Sequence, residues 1–385
     1  MSVSQINNNP QEVAVIDRYF PEEVIYEFTK HINKLTGIFN LSLVSQHFFQ
    51  VIFNSKFPVW QTLLSSHFPS SFQRTMPNML PKDQYQQLKI IDNNIKTGTC
   101  YVRTLSDLGS CVRCLEVKDG MLISGLHDGM IRIWDIESGE ELPSLNSHQS
   151  SISCLKVKEG KLISGSIDRT IKVWDLETGK ELRTLQGHRG PIRCFEMTDG
   201  KLISGSMDRT IKIWDLESGQ ELCSLDGHRE GAHCLKIDDN KLISGSSDKT
   251  IKIWDLETGK EIQTLYGHEG AVTCLSVKDG TLVSASFDGE VKIWDLESGR
   301  ELRSLNNVQG AVSCLEIKDG ILLSGSLSGI TTVWDLESGQ KLHCLDGHQG
   351  TVSCLKVKDG MLISGSFDCT IKIWDFNPGS ETKGN

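Results

Sequence analysis

Two groups of residues in this chain could do chemistry, and both recur every 40 positions. The first is a histidine, a serine and an aspartate, as in His188, Ser204 and Asp208, the three types that together perform nucleophilic hydrolysis. The histidine recurs at His148, His188, His228, His268 and His348. An active site has no reason to appear five times in one protein, so these sets are expected to be structural. The second group is cysteine. Of twelve, seven fall in register at Cys114, Cys154, Cys194, Cys234, Cys274, Cys314 and Cys354. Thiols can ligate metals or pair as disulfides. A cysteine carried by a repeat inside an apolar run is instead expected to be a small buried hydrophobe. The expectation is therefore no catalytic residue, no metal site and no cofactor.

The elements that must hold these residues follow from the same period. Trp-Asp occurs at 134/135, 174/175, 214/215, 254/255, 294/295, 334/335 and 374/375, which accounts for seven of the eight tryptophans. One unit, residues 181–220, contains four short apolar runs at Glu181–Leu185, Ile192–Met197, Lys201–Ser206 and Thr210–Trp214. Runs of this length suit strands rather than helices. Thr198-Asp199-Gly200 is a tight hairpin signal, because a two-residue turn needs positive φ, which Gly and Asp tolerate. Four strands joined by short turns make a small antiparallel sheet, and seven such sheets set radially make a β-propeller. The predicted fold class is mainly β.

The ends of the repeat predict how the ring closes. The outer-strand pattern first appears at residues 101–105, YVRTL, whereas the last unit stops at the Trp-bearing strand. The first segment must then complete the last blade, which removes an open sheet edge.

Gly187-His188, Ser204-Gly205-Ser206, Asp208 and Trp214-Asp215 resemble the WD40-repeat signature. The resemblance implies a seven-bladed WD40 β-propeller over residues 100–376. It also implies a structural tetrad of loop His188, strand Ser204, turn Asp208 and strand Trp214. Leu108 takes the histidine place in the first unit; Val308 and Ser328 replace histidine and aspartate in the sixth.

The first hundred residues differ in composition. Residues 20–35 place Phe20, Val24 and Phe28 on one helical face, with Pro21, Glu22 and Glu23 as a helix-start signal. Leu41, Val44 and Phe48 form a second stripe, and Trp60, Leu63 and Leu64 a third cluster. So few residues cannot bury so many large apolar groups internally, so a partner or the propeller must cover some of them. The segment resembles an F-box: Phe20-Pro21 at its start, a Leu41-to-Ser45 run, and Trp60 to Leu63 at its end. The layout predicted is a tail over 1–14, a small all-α F-box-like domain over 15–65, a linker over 66–99 with a helix from Asp83 to Ile91, the propeller over 100–376, and a tail over 377–385. The resemblance implies that Phe20, Pro21, Val24, Leu41, Val44 and Trp60 bind a Skp-type adaptor, and through it a cullin ligase.

Charge is uneven. Residues 1–99 hold 8 Lys/Arg and 7 Asp/Glu, leaving 32 and 43 for the rest. An acidic surface repels phosphate backbones, so nucleic acid is not an expected partner. No run is long and apolar enough for a membrane span, and no membrane partner is expected. The N-terminus lacks a basic start followed by an apolar core. The expected location is the cytoplasm, with the nucleus, or a host cytosol for a delivered bacterial effector, as alternatives. Asn40-Leu41-Ser42 fits a glycosylation sequon that such a location leaves unused.

Positions that vary between near-identical units are not needed to build a blade. One precedes the turn Asp: His127, Ile167, Met207, Ser247, Phe287, Leu327 and Phe367. The other precedes the repeated Cys: Arg113, Ser153, Arg193, His233, Thr273, Ser313 and Ser353. In proteins of the resembled family these positions line the mouth of the central channel. The expected substrate-binding residues are Arg113, His127, Ile167, Arg193, Met207, His233, Phe287, Leu327 and Phe367. Arginines before this Cys hold phosphate in related F-box/WD proteins, but Ile167 and Met207 stand where other phosphate-binding arginines would be, and Arg169 and Arg209 point elsewhere. A mixed apolar and acidic peptide fits such a face better. The expected function is the substrate-recognition subunit of a Skp–cullin–F-box ubiquitin ligase; the alternative is a WD-repeat scaffold unconnected with ubiquitin.

Overall fold

The structure, a computed structural model, describes residues 90–377 apart from 92, 107 and 306–309. The F-box-like segment with Phe20, Pro21, Val24, Leu41, Val44 and Trp60 lies outside the described residues, as do Val308 and residues 83–89 of the linker helix. Residues 90–91 and 93–97 are helical.

The third unit shows how the sequence makes a blade. Ile192–Thr198, Lys201–Ser206, Thr210–Asp215 and Glu221–Asp226 form one antiparallel sheet in that order. Asp199 and Gly200 join the first two strands at φ +35° and +75°, the positive-φ pair a two-residue hairpin requires. Asp215 closes the third connection: its Oδ1 accepts the Ser218 N–H at 2.6 Å. The aspartate of each such turn thus caps backbone, as Asp175 does for the Thr178 N–H at 2.7 Å.

Seven four-stranded sheets repeat this plan. Their innermost strands are Val112–Lys118, Ile152–Lys158, Ile192–Thr198, Ala232–Asp238, Val272–Lys278, Val312–Lys318 and Val352–Lys358. Each packs beside the next, and the seventh packs beside the first. The ring is a closed seven-bladed propeller. Its last sheet takes its outer strand from the start of the repeat region, with Tyr101 opposite Asp375 and Leu105 opposite Ile371.

The core lies between blades. Ile203, Ile211, Ile213 and Leu225 of the third blade pack with Leu235, Leu242 and Trp254 of the fourth. A single blade therefore buries little on its own, and the repeats stabilise one another. The repeated cysteines sit at this packing layer. A Cβ on Gly205 would meet Cys194 Sγ at 2.7 Å and Ala232 Cβ at 3.1 Å, so the glycine lets blade and thiol close up. Burial pushes these thiols up, Cys154 and Cys274 to about 12, which keeps them protonated and apolar.

Candidate functional site

In the third blade, Ser204 Oγ lies 2.8 Å from His188 Nε2, and Asp208 Oδ2 lies 2.8 Å from His188 Nδ1. Trp214 Nε1 donates to Ser204 Oγ at 2.8 Å. An ionised carboxylate only accepts, so His188 Nδ1 carries the proton and Nε2 accepts from the serine. Burial opposes the charge on Asp208, but bonds from Thr210, His188 and the Arg189 amide win and bring its pKa down to about 2. The same network recurs with His148, His228, His268 and His348. It resembles a hydrolytic triad in connectivity only. Ser204 is 0% exposed and its hydroxyl is held between an indole and an imidazole, so no substrate reaches it. The network satisfies polar groups between blades.

Where the network departs, the blade persists. Leu108 fills the histidine place with 0% exposure, while Trp134 Nε1 keeps Ser124 at 3.4 Å. In the sixth blade Trp334 Nε1 still donates to Ser324 at 2.9 Å, and Ser328 bonds Ser326 at 2.7 Å.

The residue before each repeated Cys is a β-bulge in all seven blades. Ile192 pairs with Ser206 and Cys194 with Gly205, leaving Arg193 unopposed, and the same shift recurs at Arg113, Ser153, His233, Thr273, Ser313 and Ser353. A bulge re-aims its side chain. Four of these side chains staple blades together. Ser153 donates to Ile192 O at 2.6 Å, Thr273 to Val312 O at 2.8 Å, Ser353 to Val112 O at 2.6 Å, and Ser313 to Val352 O. Arg113, Arg193 and His233 are the long exceptions, and all three are partly buried.

The residues before the turn Asp share that end of the ring, because Ile192 pairs with Ser206. Each turn is pinned by an amide: Phe287 N–H bonds Ala271 O at 3.0 Å, Leu327 N–H bonds Ala311 O at 3.0 Å, and Phe367 N–H bonds Thr351 O at 2.9 Å. Met207, Phe287, Leu327 and Phe367 are exposed large hydrophobics, at 40%, 49%, 45% and 38%. His127 is exposed, and Ile167 is partly buried. Phe287, Leu327 and Phe367 come from three successive blades and form an apolar rim on rigid turns.

A basic group stands against one end of that rim. Arg113 Cζ lies 4.9 Å from the Phe367 ring centre, a cation–π distance. Burial lowers the Arg113 pKa, and the nearby Arg193 lowers it further. His233 bonds Ser247 Oγ at 2.5 Å; burial, then Arg193, brings its pKa down to about 4, so it is neutral near pH 7. Arg169 and Arg209 are exposed at φ +74° and +77° in the next turn position. Cys111 and Cys369 meet at 3.6 Å Sγ–Sγ beside Phe367, where first and last blades join.

Sequence reasoning missed a ring of charge around the channel. The residue two after each Cys runs Glu116, Lys156, Glu196, Lys236, Ser276, Glu316, Lys356. Glu196 pairs with Lys156 on one side and with Lys236 at 3.2 Å on the other, and Lys356 pairs with Glu116 at 3.0 Å. Alternating signs cannot close around an odd number of blades, and neutral Ser276 stands at the break. The signal was the sign alternation itself.

A protein-family model for the WD domain, G-beta repeat, matches residues 100–135, 139–175, 179–215, 219–255, 259–295 and 339–375, more than half of the chain. The chain belongs to the WD40-repeat family. The matched segments of this WD40 protein omit 299–335, the unit with Val308 and Ser328, yet its strands Val312–Lys318, Ile321–Ser326 and Ile330–Asp335 complete a regular blade. The crystal structure of the computationally designed Ika8 protein is similar at 35% identity and a TM-score of 0.58, over 69% of this chain and 96% of that one. Among curated proteins, the probable E3 ubiquitin ligase complex SCF subunit sconB of Talaromyces marneffei is 39% identical over 64 residues, 17% of this chain and 10% of the relative. The protein of that name in Emericella nidulans is 38% identical over 61 residues. The WD40 chain spans about a tenth of the length of the curated relatives it matches. WD40 propellers are typically non-catalytic, and these relatives are named as subunits of a ligase complex.

Proposed function

We propose that this WD40 protein is the substrate-recognition subunit of a Skp–cullin–F-box type ubiquitin ligase. The propeller holds the substrate protein at its channel mouth, and residues 15–65 dock a Skp-type adaptor. The observation that carries the binding half is the rim of Phe287, Leu327 and Phe367, exposed on hydrogen-bonded turns beside Arg113, whose guanidinium in turn feels the charge of Arg193. Exposed apolar side chains on rigid supports cost little entropy to bind with. Charge ringed by apolar surface favours an extended peptide with apolar side chains and an acidic or phosphorylated group. Similarity to SCF subunits supports the ligase half.

In this reading Arg113 and Arg193 steer and hold the acidic group, the rim anchors the apolar side chains, and Phe20, Pro21, Val24, Leu41, Val44 and Trp60 face the adaptor. The work is cytoplasmic. The test is gel filtration of the full chain with a purified Skp-type adaptor and cullin. Co-elution of all three supports the reading; a chain that elutes alone at micromolar concentration leaves the scaffold reading in its place.

A further inference from the structure

On the face opposite the mouth, each outer strand meets a turn of the following blade. At most of these junctions a side chain crosses the seam and donates to a turn carbonyl. Arg103 donates to Glu137 O at 2.9 Å, Arg183 to Leu216 O at 3.0 Å, and Arg303 to Glu337 O at 2.7 Å. Gln263 reaches Ser298 O at 3.4 Å. At the last junction Asn94, from the helix before the propeller, donates to Phe376 O at 2.8 Å. These side chains lie across a turn glycine: a Cβ on Gly219 would meet Arg183 Cδ at 2.5 Å, and one on Gly339 would meet Arg303 Cδ at 2.7 Å.

Pro143 holds the same place between the first and second blades. Proline has no side-chain donor and no N–H, and the strand pairing skips it, Ile131 facing Leu145 and Ile133 facing Leu142. Over the matching glycine, Gly179, the atom a Cβ would meet is Leu145 Cδ2 at 3.1 Å, with no polar atom within 4 Å. A cleft of about 860 Å³ opens here, walled by Leu142, Pro143 and Leu145 on one side and by the Asp175–Gly179 turn on the other. Glu159, Asp175 and Glu177 line it against a single Lys161.

We propose that this cleft receives an arginine side chain from a partner protein, laid as Arg183 and Arg303 are laid at their own junctions. The template is internal: the turn at Leu176 and Glu177 corresponds to those at Leu216 and Glu337, whose carbonyls take a guanidinium. The apolar walls suit the arginine stem, and three carboxylates favour its charge over neutral or acidic groups. Lysine offers the same charge without the planar fork that spans adjacent carbonyls. Cys223, at the junction of the third and fourth blades, also lacks a long donor, and a Cβ on Gly259 would meet Leu225 Cδ2 at 3.0 Å; it serves as the comparison site. This docking face is independent of the mouth and of the ligase reading.

The experiment titrates the full chain against a fluorescein-labelled Gly-Ala-Arg-Ala-Gly peptide, read by polarisation, beside the same peptide with lysine. The expected result is saturable binding below about 1 mM, weaker by about fivefold or more for the lysine peptide. Pro143→Arg places the chain's own guanidinium in the cleft and should weaken peptide binding by about tenfold or more, while Cys223→Arg leaves it unchanged. Pro143→Gln, a shorter filler, should give a smaller loss in the same direction, and melting of each variant shows that it is folded. No saturable binding by the wild type, equal binding of the lysine peptide, an undiminished Pro143→Arg, or an equal loss in Cys223→Arg overturns the proposal.

Discussion

The Arg113 guanidinium carbon stands 4.9 Å from the centre of the Phe367 ring, although 254 positions separate them in sequence. The closing of the ring makes them neighbours, with Arg113 on the first blade and Phe367 on the last. One side chain supplies charge and the other apolar area, and each holds the other in place. Phe367→Ala and Phe287→Ala should each weaken binding of a captured partner by ~1–3 kcal/mol, the range for an aromatic anchor. Arg113→Ala should weaken it more at low salt than at high salt. Lys172, tied to Glu181 at 2.6 Å in a Trp-bearing strand, is the control. Titration of each folded variant decides the matter: if Lys172→Ala loses as much as Phe287→Ala, the ligand sits elsewhere.

The tetrads carry stability. Asp208→Ala or His188→Ala leaves buried polar partners unmet and should cost ~1–3 kcal/mol. Ser328→Ala, at the equivalent place of the sixth blade, is exposed and should cost far less. Urea melts of the three variants measure this, and equal losses would remove the tetrads from the stability account.

Acid should destabilise the fold in two steps. Burial lowers the pKa of His148, His188, His268 and His348 from the ordinary 6.5, against the opposing pull of their aspartates. For His188 the facing charges are Asp208, Lys212 and Glu221. Because the folded state binds these protons less readily than the unfolded chain, the histidine contribution is present above pH 6.5 and is lost as pH falls below it. Asp208, lowered to about 2 from 3.8, contributes above its unfolded value and loses that contribution between about pH 4 and 2. The melting temperature should therefore fall from pH 7.5 to 5 and fall again below 4. A melting temperature that rises on going from pH 7.5 to 5 would contradict the first step.

The charge ring makes a separate forecast. Glu196 is 8% exposed and serves two lysines. Glu196→Gln should cost ~1–3 kcal/mol, less than the full price of breaking a buried pair because Lys156 and Lys236 remain 31% and 40% exposed. Burial raises the Glu316 pKa, so Glu316→Gln should be nearly neutral. Denaturation of both variants separates them, and equal costs would show that the ring does not act through pairing.

Much of the propeller could be read from the chain because its determinants are local. The Trp-Asp period set the blade count, Asp199-Gly200 set a hairpin, and the surplus strand at 101–105 announced the closure. The exposed Phe287, Leu327 and Phe367 were legible as residues that vary where the blade needs nothing fixed. What escaped depends on neighbours in the next blade of the ring. Ser153 and Ser353 stood among the varying positions expected to line the mouth, but they bridge to the next blade's carbonyls, because a bulge turns them there. Pro143 carries no signal of its own in the sequence, since its meaning lies in what Arg183 and Arg303 do at other seams.

In the proposed function, one end of the chain docks a ligase adaptor while the propeller mouth takes the substrate. Titration of the full chain with a purified Skp-type adaptor separates these two roles. The expected Kd is about 10 μM or tighter, on the order of −7 kcal/mol. Pro21→Ala combined with Val24→Asp should abolish binding by placing an unpaired charge in an apolar interface, and Phe287→Ala should leave it unchanged. No binding by the wild-type chain at that concentration, or loss of adaptor binding on Phe287→Ala in a folded protein, would contradict the proposed function.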